Sequence, residues 1–337
     1  MRLSRDKCAF VRAVLHAHST ESDGLLEPQR VVEYYASRGY GVVALTDHER
    51  ITRIRVKEPL VIPGAELARD RGLLGEPYHL VILGVEDEAV LRMKDPQEVV
   101  DFARSSSGVV VVAHPHWSGL TVSDLLSLKG YSAIEIFNTG CEVEVSKGYA
   151  VAHWDALLSK GVRVWGVAVD DAHRYTIPPI DADGGWVVLC LRELSTDEVL
   201  RALKEGRFYS STGPDVIEAD LSDSSFEVAL RGARRIYLIS RNGKGFSVDS
   251  DVVEWIYRDR NRALAMLSRY GDVELEAEHE GTFTKLYVRI SGVRVELRSR
   301  GRWIEWVRVM GLDWDSYARI EVVDELGRRA WLNPLFR

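Results

Sequence analysis

The stretch AVLHAHSTESDG, residues 13–24, carries an apolar run into two histidines one residue apart and then into an Asp-Gly pair. In an extended strand, residues i and i+2 face the same side, so His16 and His18 would aim both imidazoles at one point. Taken alone, the pair suits hydrogen-bonded or solvated histidines better than a chelate. Its reading turns on whether other strands end in the same way.

Several do. Up to about residue 205, short Val/Ile-rich runs alternate with helical stretches. Strand-like runs span residues 10–18, 40–47, 59–64, 79–85, 108–115, 132–138, 162–170 and 185–191. Between them lie helical segments: one with Pro28 in its first turn and Gly39 as a stop, one capped by Asp95, one across residues 144–161, and one capped by Ser195. Near-continuous apolar strands alternating with helices predict a parallel sheet covered by helices, open or closed into a barrel. His48 ends the second run (LTDHE), His114 the fifth (VVAHPH), and Asp171 and His173 follow the seventh (VAVDDAH). In parallel α/β folds ligands gather at the carboxyl ends of strands, where the loops converge. Glu66 lies just past a strand in PGAE, whereas His79 stands at the start of one. Eight of the nine histidines precede residue 174, leaving only His279 beyond. One N-terminal polar site accounts for that clustering.

After STGPD (211–215) the texture changes to two-residue alternation broken by turn residues, which predicts a separate all-β, sandwich-like domain over 214–337 beside an α/β domain over 1–213. The net charge of -7 argues against broad electrostatic binding to nucleic acid or anionic membrane. No run approaches the roughly 18 apolar residues of a membrane helix. Cys8, Cys141 and Cys190 have no recognisable spacing and read as small buried residues of a reducing cytosol, so a soluble cytoplasmic protein is expected. Four Asn and two Gln, against abundant Arg, Glu and Val, match proteins of hot environments.

The combination HAHSTESDG, ALTDH, PGAE, YHLVILG, AHP and DDAH, in that order over residues 13–173, resembles the PHP superfamily of metal-dependent phosphoesterases, named for polymerase and histidinol phosphatase. The resemblance implies a distorted seven-stranded (β/α)7 barrel holding two or three divalent ions. It carries the metal ligands over to His16, His18, Asp23, His48, Glu66, His79, His114, Asp171 and His173. The segments at 185–214 and 317–334 resemble the closing segment and the appended β domain of family members.

Six imidazoles and three carboxylates suit Zn, Mn or Fe better than Ca or Mg. They exceed the needs of one ion and divide among two or three, with Glu66 the best bridging carboxylate. Such a cluster lowers the pKa of a bound water and supplies a metal-activated hydroxide for phosphate-ester hydrolysis. His16, His18, Glu66, His114, Asp171 and His173 form the expected catalytic core. Asp47 is either a ligand-orienting residue or a strand-end cap. Phosphate also calls for donors, and Arg50, Arg53, Arg69, His116, Asn138 and Arg174 are the candidates for substrate contact. Asp181 and Asp183 read as turn residues.

Two features depart from the family. Only fourteen residues separate His48 from Pro63, so a helix usual there is shortened or lost. The 34 residues between His79 and His114 leave no room for the helical cap of nucleotide-bisphosphate phosphatases. The expected function is a phosphatase acting on a small phosphorylated metabolite or nucleotide. A single-strand exonuclease and a catalytically silent metal-binding interaction protein are the alternatives.

Overall fold

The computed structural model describes residues 2–337. The chain forms two compact units, Cys8–Thr212 and Gly213–Arg337, the second also taking the N-terminal residues through Lys7. Strand β1 (Arg2–Ser4) accounts for that last assignment, because it pairs antiparallel with β11 (Val216–Leu221). The N-terminal strand is therefore part of the β-rich unit rather than of the α/β domain.

The first unit contains β2 (Ala9–Val14), β3 (Val42–Leu45), β4 (Leu60–Arg71), β5 (Pro77–Leu83), β6 (Val109–Val112), β7 (Ala133–Asn138), β8 (Trp165–Val169), β9 (Trp186–Leu191) and β10 (Phe208–Ser211). Their order is β10-β9-β2-β3-β4-β5-β6-β7-β8. Within this unit the sheet therefore has nine strands where seven strand-helix repeats were expected, and it is mixed. β2, β3 and β4 run parallel, as do β6, β7 and β8. β5 runs against both its neighbours, and β9 and β10 add an antiparallel pair beside β2. Chain length decides the direction of β5: the turn between Arg71 and Pro77 is far too short for the crossover that a parallel neighbour requires.

Helices α1 (Pro28–Ala36), α2 (Pro96–Ser105), α3 (Val122–Ser127), α4 (Thr139–Val145), α5 (Val151–Ser159) and α6 (Thr196–Glu205) fill most of the other connections. The link from β3 to β4 has none, as the short spacing after His48 predicts. Local signals set the helix ends. Asp95 accepts from the Gln97 N–H ahead of Pro96, and Ser195 accepts from the Glu198 N–H while Gly206 closes α6 in the left-handed conformation.

Alternate residues of every strand from β2 to β9 enter a single buried cluster, Ala13, Val42, Ile62, Val81, Val111, Ala133, Val167 and Val187 among them. One face of the sheet thus carries a single continuous core. Val199, Leu200 and Leu203 of α6 enter the same cluster. Between β8 and β10 a hydroxyl takes the place of a ladder: Ser210 Oγ accepts from the Ala168 N–H at 3.0 Å and donates to the Gly166 carbonyl at 2.8 Å. On the outer face, Val31, Val32 and Tyr35 of α1 pack with Val14, Val43 and Leu45. Covered on both sides, β3, β6 and β7 are buried at every position.

The second unit holds β1, β11, β12 (Ser225–Ala233), β13 (Arg235–Ser240), β14 (Gly245–Asp249), α7 (Ser250–Arg258), α8 (Arg260–Leu267), β15 (Val273–Glu280), β16 (Phe283–Ile290), β17 (Val293–Arg300), β18 (Trp303–Met310), β19 (Tyr317–Val323), β20 (Arg329–Leu332) and β21 (Leu335–Phe336). One sheet runs β1-β11-β12-β18-β17-β16-β15, and a second joins β14, β13, β19 and β20, with β21 on β19. The all-β expectation needs a correction here, since α7 and α8 carry the chain from β14 to β15. Asp249 caps α7 by accepting from the Asp251 N–H, and Val253 and Ile256 bury one face. Their charged neighbours hide that short period in the sequence.

The cysteines need a correction as well. Cys8 and Cys190 form a disulfide, with Cα atoms 5.3 Å apart across 182 residues of sequence, and only Cys141 is free and buried. Pairing of β2 with β9 sets Phe10 opposite Cys190, a juxtaposition that linear spacing cannot reveal. Among the described residues no helix is long and apolar enough to cross a membrane.

Candidate metal centre

The parallel strands deliver His16 and His18 past β2, His48 past β3, His114 past β6, and Asp171 and His173 past β8. The reversed β5 places His79 at the same end, with its carbonyl accepting the Ala113 N–H at 2.9 Å, next to His114. A histidine at a strand's beginning thus joins histidines at strand ends. Glu66 lies within the long β4 and is buried. Asp23 comes in on the loop after His18, where Gly24 packs so closely that a Cβ would stand 2.5 Å from the His18 carbonyl oxygen.

All nine expected ligands converge, in three overlapping groups. His16, His18, Glu66 and Asp171 form one, His18, Asp23, His48 and His173 a second, and Glu66, His79 and His114 a third. In the first, His16 Nε2 lies 3.1 Å from His18 Nε2, from Glu66 Oε2 and from Asp171 Oδ1. His18 Nε2 stands 3.2 Å from Glu66 Oε2 and 3.1 Å from Asp171 Oδ1. Donors bound at roughly 2.0–2.2 Å to a common cation stand about 3 Å from one another, which is the spacing found. Glu66 faces two ways: Oε2 is also 3.2 Å from His48 Nδ1, whereas Oε1 is 2.6 Å from His79 Nδ1 and 3.0 Å from His114 Nε2. Asp23 sits 3.5 Å from His48 Nε2 and 3.4 Å from His173 Nε2.

Two further observations fit a cation. Asp171 Oδ1 is buried and accepts no hydrogen bond, an arrangement costly for a carboxylate unless a positive group meets it. The backbone is also strained at two residues of these groups, with φ of 25° at His114 and 56° at Asp171, conformations that cost of order 1–3 kcal/mol each for residues other than glycine.

The surrounding contacts fix the ligands. Glu135, on β7, was not anticipated. Its Oε1 accepts from His16 Nδ1 at 2.6 Å, and its Oε2 accepts from the His114 N–H at 2.8 Å and from Asn138 Nδ2 at 2.9 Å. Holding the proton on Nδ1 leaves Nε2 of His16 as the coordinating nitrogen. His173 Nδ1 donates to the Asp171 carbonyl at 2.9 Å, and His114 Nδ1 pairs with Ser118 Oγ at 3.0 Å. The one sequence signal for Glu135 is a carboxylate inside the otherwise apolar SAIEIFN. Substituting Glu135→Gln leaves a single acceptor oxygen for two sets of donors. Cation affinity, measured by competition with a chromogenic chelator, is expected to fall about 10–100-fold.

Electrostatics within the cluster are reciprocal. Burial opposes protonation of His16, but Asp171, Glu135 and Glu66 outweigh it and hold the pKa well above the usual imidazole value. His18, His114 and His173 are raised in the same way, against burial, by the neighbouring carboxylates of Asp171, Glu66 and Asp23. Burial likewise opposes ionisation of Glu66 and Asp171, yet the neighbouring imidazoles hold both carboxyls below their ordinary range. Protons on these imidazoles are what a divalent cation would displace.

The candidate substrate contacts divide. Arg174 lines the cleft of about 430 Å³ above the cluster. Its Nη1 donates to Glu144 at 2.7 Å, while Nη2 is buried and has no partner. Asn138 is fully buried, donates to Asp171 Oδ2 at 3.1 Å, and caps α4 by accepting from the Cys141 N–H, which makes it a positioning residue. Arg69 is buried against Glu49 at 2.7 Å and the Leu91 carbonyl, Arg50 pairs with Glu21 at 2.5 Å, and Arg53 pairs with Glu88 at 3.0 Å. His116 donates to the Tyr149 carbonyl at 3.0 Å, away from the cleft lining. Asp47 accepts from Ser19, Ser22 and Thr52, so it anchors the loop after His18 and does not orient His48. Asp181 accepts the N–H groups of His173, Arg174 and Tyr175, the turn role expected of it. Trp117 covers one side, with its ring 5.1 Å from that of His114.

No family model matches the chain, and no curated protein does. Solved structures resemble it. A two-domain protein from Bacteroides vulgatus, described as containing a predicted PHP-like metal-dependent phosphoesterase, aligns at 14% identity over 95% of this chain and 92% of its own, with a TM-score of 0.52. An amidohydrolase from Chromobacterium violaceum with bound sulfate aligns at 16% identity over 58% of this chain and 96% of its own, TM-score 0.39. A protein from Bifidobacterium adolescentis assigned as a metal-dependent phosphoesterase aligns at 14% identity over 49% and 89%, TM-score 0.37. Over nearly its whole length, the chain thus shares its fold with the PHP-like two-domain protein.

Proposed function

We propose that the protein is a metal-dependent phosphoesterase that hydrolyses small phosphate monoesters at the cluster between His16 and His173. The observation that carries the reading is the division of Glu66: its two oxygens face different sets of imidazoles, as a carboxylate shared between two cations must. The mixed nitrogen and oxygen donors fit Zn, Mn or Fe, and the three overlapping groups have room for two or three ions. When bound, such ions supply Lewis acidity, acidifying water and neutralising phosphate oxygens.

The chain's own residues do the rest. Glu135 fixes the tautomer of His16, and Asn138 holds Asp171 Oδ2 so that Oδ1 points to His16 and His18. Arg174, with its guanidinium oriented by Glu144, lines the cleft and supplies its cationic side chain beside the phosphate position. The wall includes Asp23, Glu144 and Asp181, and Arg174 is its one Lys or Arg, which supports a small monoester over a polynucleotide. Cytoplasmic location and origin in a hot environment belong to the same proposal, since intracellular proteins of hyperthermophiles do carry disulfides.

The test is a panel of phosphomonoesters and nucleotides assayed with Mn, Zn or Fe(II), with metal content measured on the same sample. Turnover dependent on bound metal is expected. Stoichiometric metal without turnover of any phosphate ester would favour the silent metal-binding reading.

A further inference from the structure

The loops at the site's end of the barrel carry an apolar rim. Leu73 and Leu74, each 73% exposed, form the tip of the turn between β4 and β5. That tip is held in place, because the Leu73 N–H donates to Asp124 Oδ1 at 3.0 Å and the Leu74 side chain lies beside Gly119, two residues past Trp117. Val143 and Val145 stand exposed on either side of Glu144 on α4, and Ile177 and Ile180 on the loop between Arg174 and Asp181. Glu144, Arg174 and Asp181 all line the cleft, as do Trp117 and the half-exposed Leu25. In the unit from Cys8 to Thr212 the exception to this clustering is Leu194, which follows β9 at the opposite end. Chance exposure of apolar side chains would not choose one end of the barrel.

We infer that the rim binds the aliphatic group of an amphiphilic phosphate ester, taken up as a single molecule with its phosphate at the cluster. The inference rests on the phosphoesterase reading for the position of the phosphate. Charge complementarity selects the occupant. The rim's own residues are uncharged, and the charges beside them are mixed, Glu144, Asp23 and Asp70 against Arg71 and Lys147, so neither a polyanion nor an anionic bilayer gains from this surface. An alkyl chain does gain, through burial of methylenes against Leu, Val, Ile and Trp side chains.

Calorimetric binding of non-hydrolysable ethylphosphonate and octylphosphonate to the metal-loaded full chain tests this without requiring turnover. Octylphosphonate is expected to bind at least about tenfold more tightly. In Leu73→Ser/Leu74→Ser, and separately in Ile177→Ser, that ratio should fall to within about threefold, with an unchanged melting temperature showing that the fold is intact. Equal affinity for the two phosphonates would overturn the inference. So would binding to phosphatidylcholine vesicles containing phosphatidic acid without preference for the monomeric octyl ligand, or self-association that buries the rim. Chain-length preference without hydrolysis of any phosphate ester would instead overturn the phosphoesterase reading and leave the rim's affinity standing.

Discussion

Asp171→Asn is expected to lower metal-supported phosphomonoester hydrolysis by at least about a thousandfold, roughly 4 kcal/mol of transition-state stabilisation. The argument is geometric. Asn138 donates to Asp171 Oδ2, so an asparagine at 171 would turn its own carbonyl toward Asn138 and its NH2 toward His16 and His18. A donor would then stand where a cation needs an acceptor, and the negative charge that balances the imidazoles would be gone. Elemental analysis should show at least one equivalent of metal lost. The metal-free variant should melt close to the metal-free parent: Glu66 and Glu135 still face the imidazoles, so removing the Asp171 charge does not leave its neighbours without a partner. A purely structural Asp171 would reverse that pattern, with a lower melting temperature and normal metal content. Full activity with full metal content would sink the mechanism.

The convergence of these side chains was legible because they sit where strands stop, and strand ends can be read from apolar periodicity. His16, His18, His48, His114, Asp171 and His173 all obey that rule. His79 breaks it in the sequence and obeys it in space, since the short turn after Arg71 reverses β5. Direction depends on loop length, which periodicity alone does not weigh. Glu135 was missed because a lone carboxylate in a buried strand has no partner visible in its own neighbourhood; His16 lies 119 residues away. The pairing of the arginines was not legible for a related reason. Arg50, Arg53 and Arg69 follow site residues in sequence, but a long side chain goes to the nearest carboxylate, and Glu21, Glu88 and Glu49 capture them. Arg174 differs because Glu144 occupies only part of its planar fork. The strand count failed where the pattern gave least: β10 is four residues with two serines, and its closure against β8 is a hydroxyl bridge.

Reduction of Cys8–Cys190, or Cys190→Ser, is expected to lower stability by up to about 5 kcal/mol, the loop-entropy limit for a closure across 182 residues. Measured losses of this kind more often reach 2–4 kcal/mol. Here the bond spans the start of β2 and the far part of β9, the two strands that join the antiparallel pair to the rest of the sheet. Without the bond, the last rungs of that ladder are free to fray, and the Ala9–Leu191 and Phe10–Cys190 pairs would open first. The intact protein should melt well above the roughly 45–65 °C of ordinary domains, given its scarcity of Asn and Gln, and differential scanning calorimetry with and without reductant should separate the two contributions. A melt inside the ordinary range would count against the hot-environment reading. A high melt indifferent to reductant would assign the stability to packing and ion pairs instead. Because Cys190 lies toward the end of β9 and His16 past the end of β2, strands that run in opposite directions, the bond and the His/Asp/Glu cluster sit at opposite ends of this strand pair. Hydrolysis at 25 °C should therefore survive Cys190→Ser within about twofold, so that stability falls while the site keeps its chemistry.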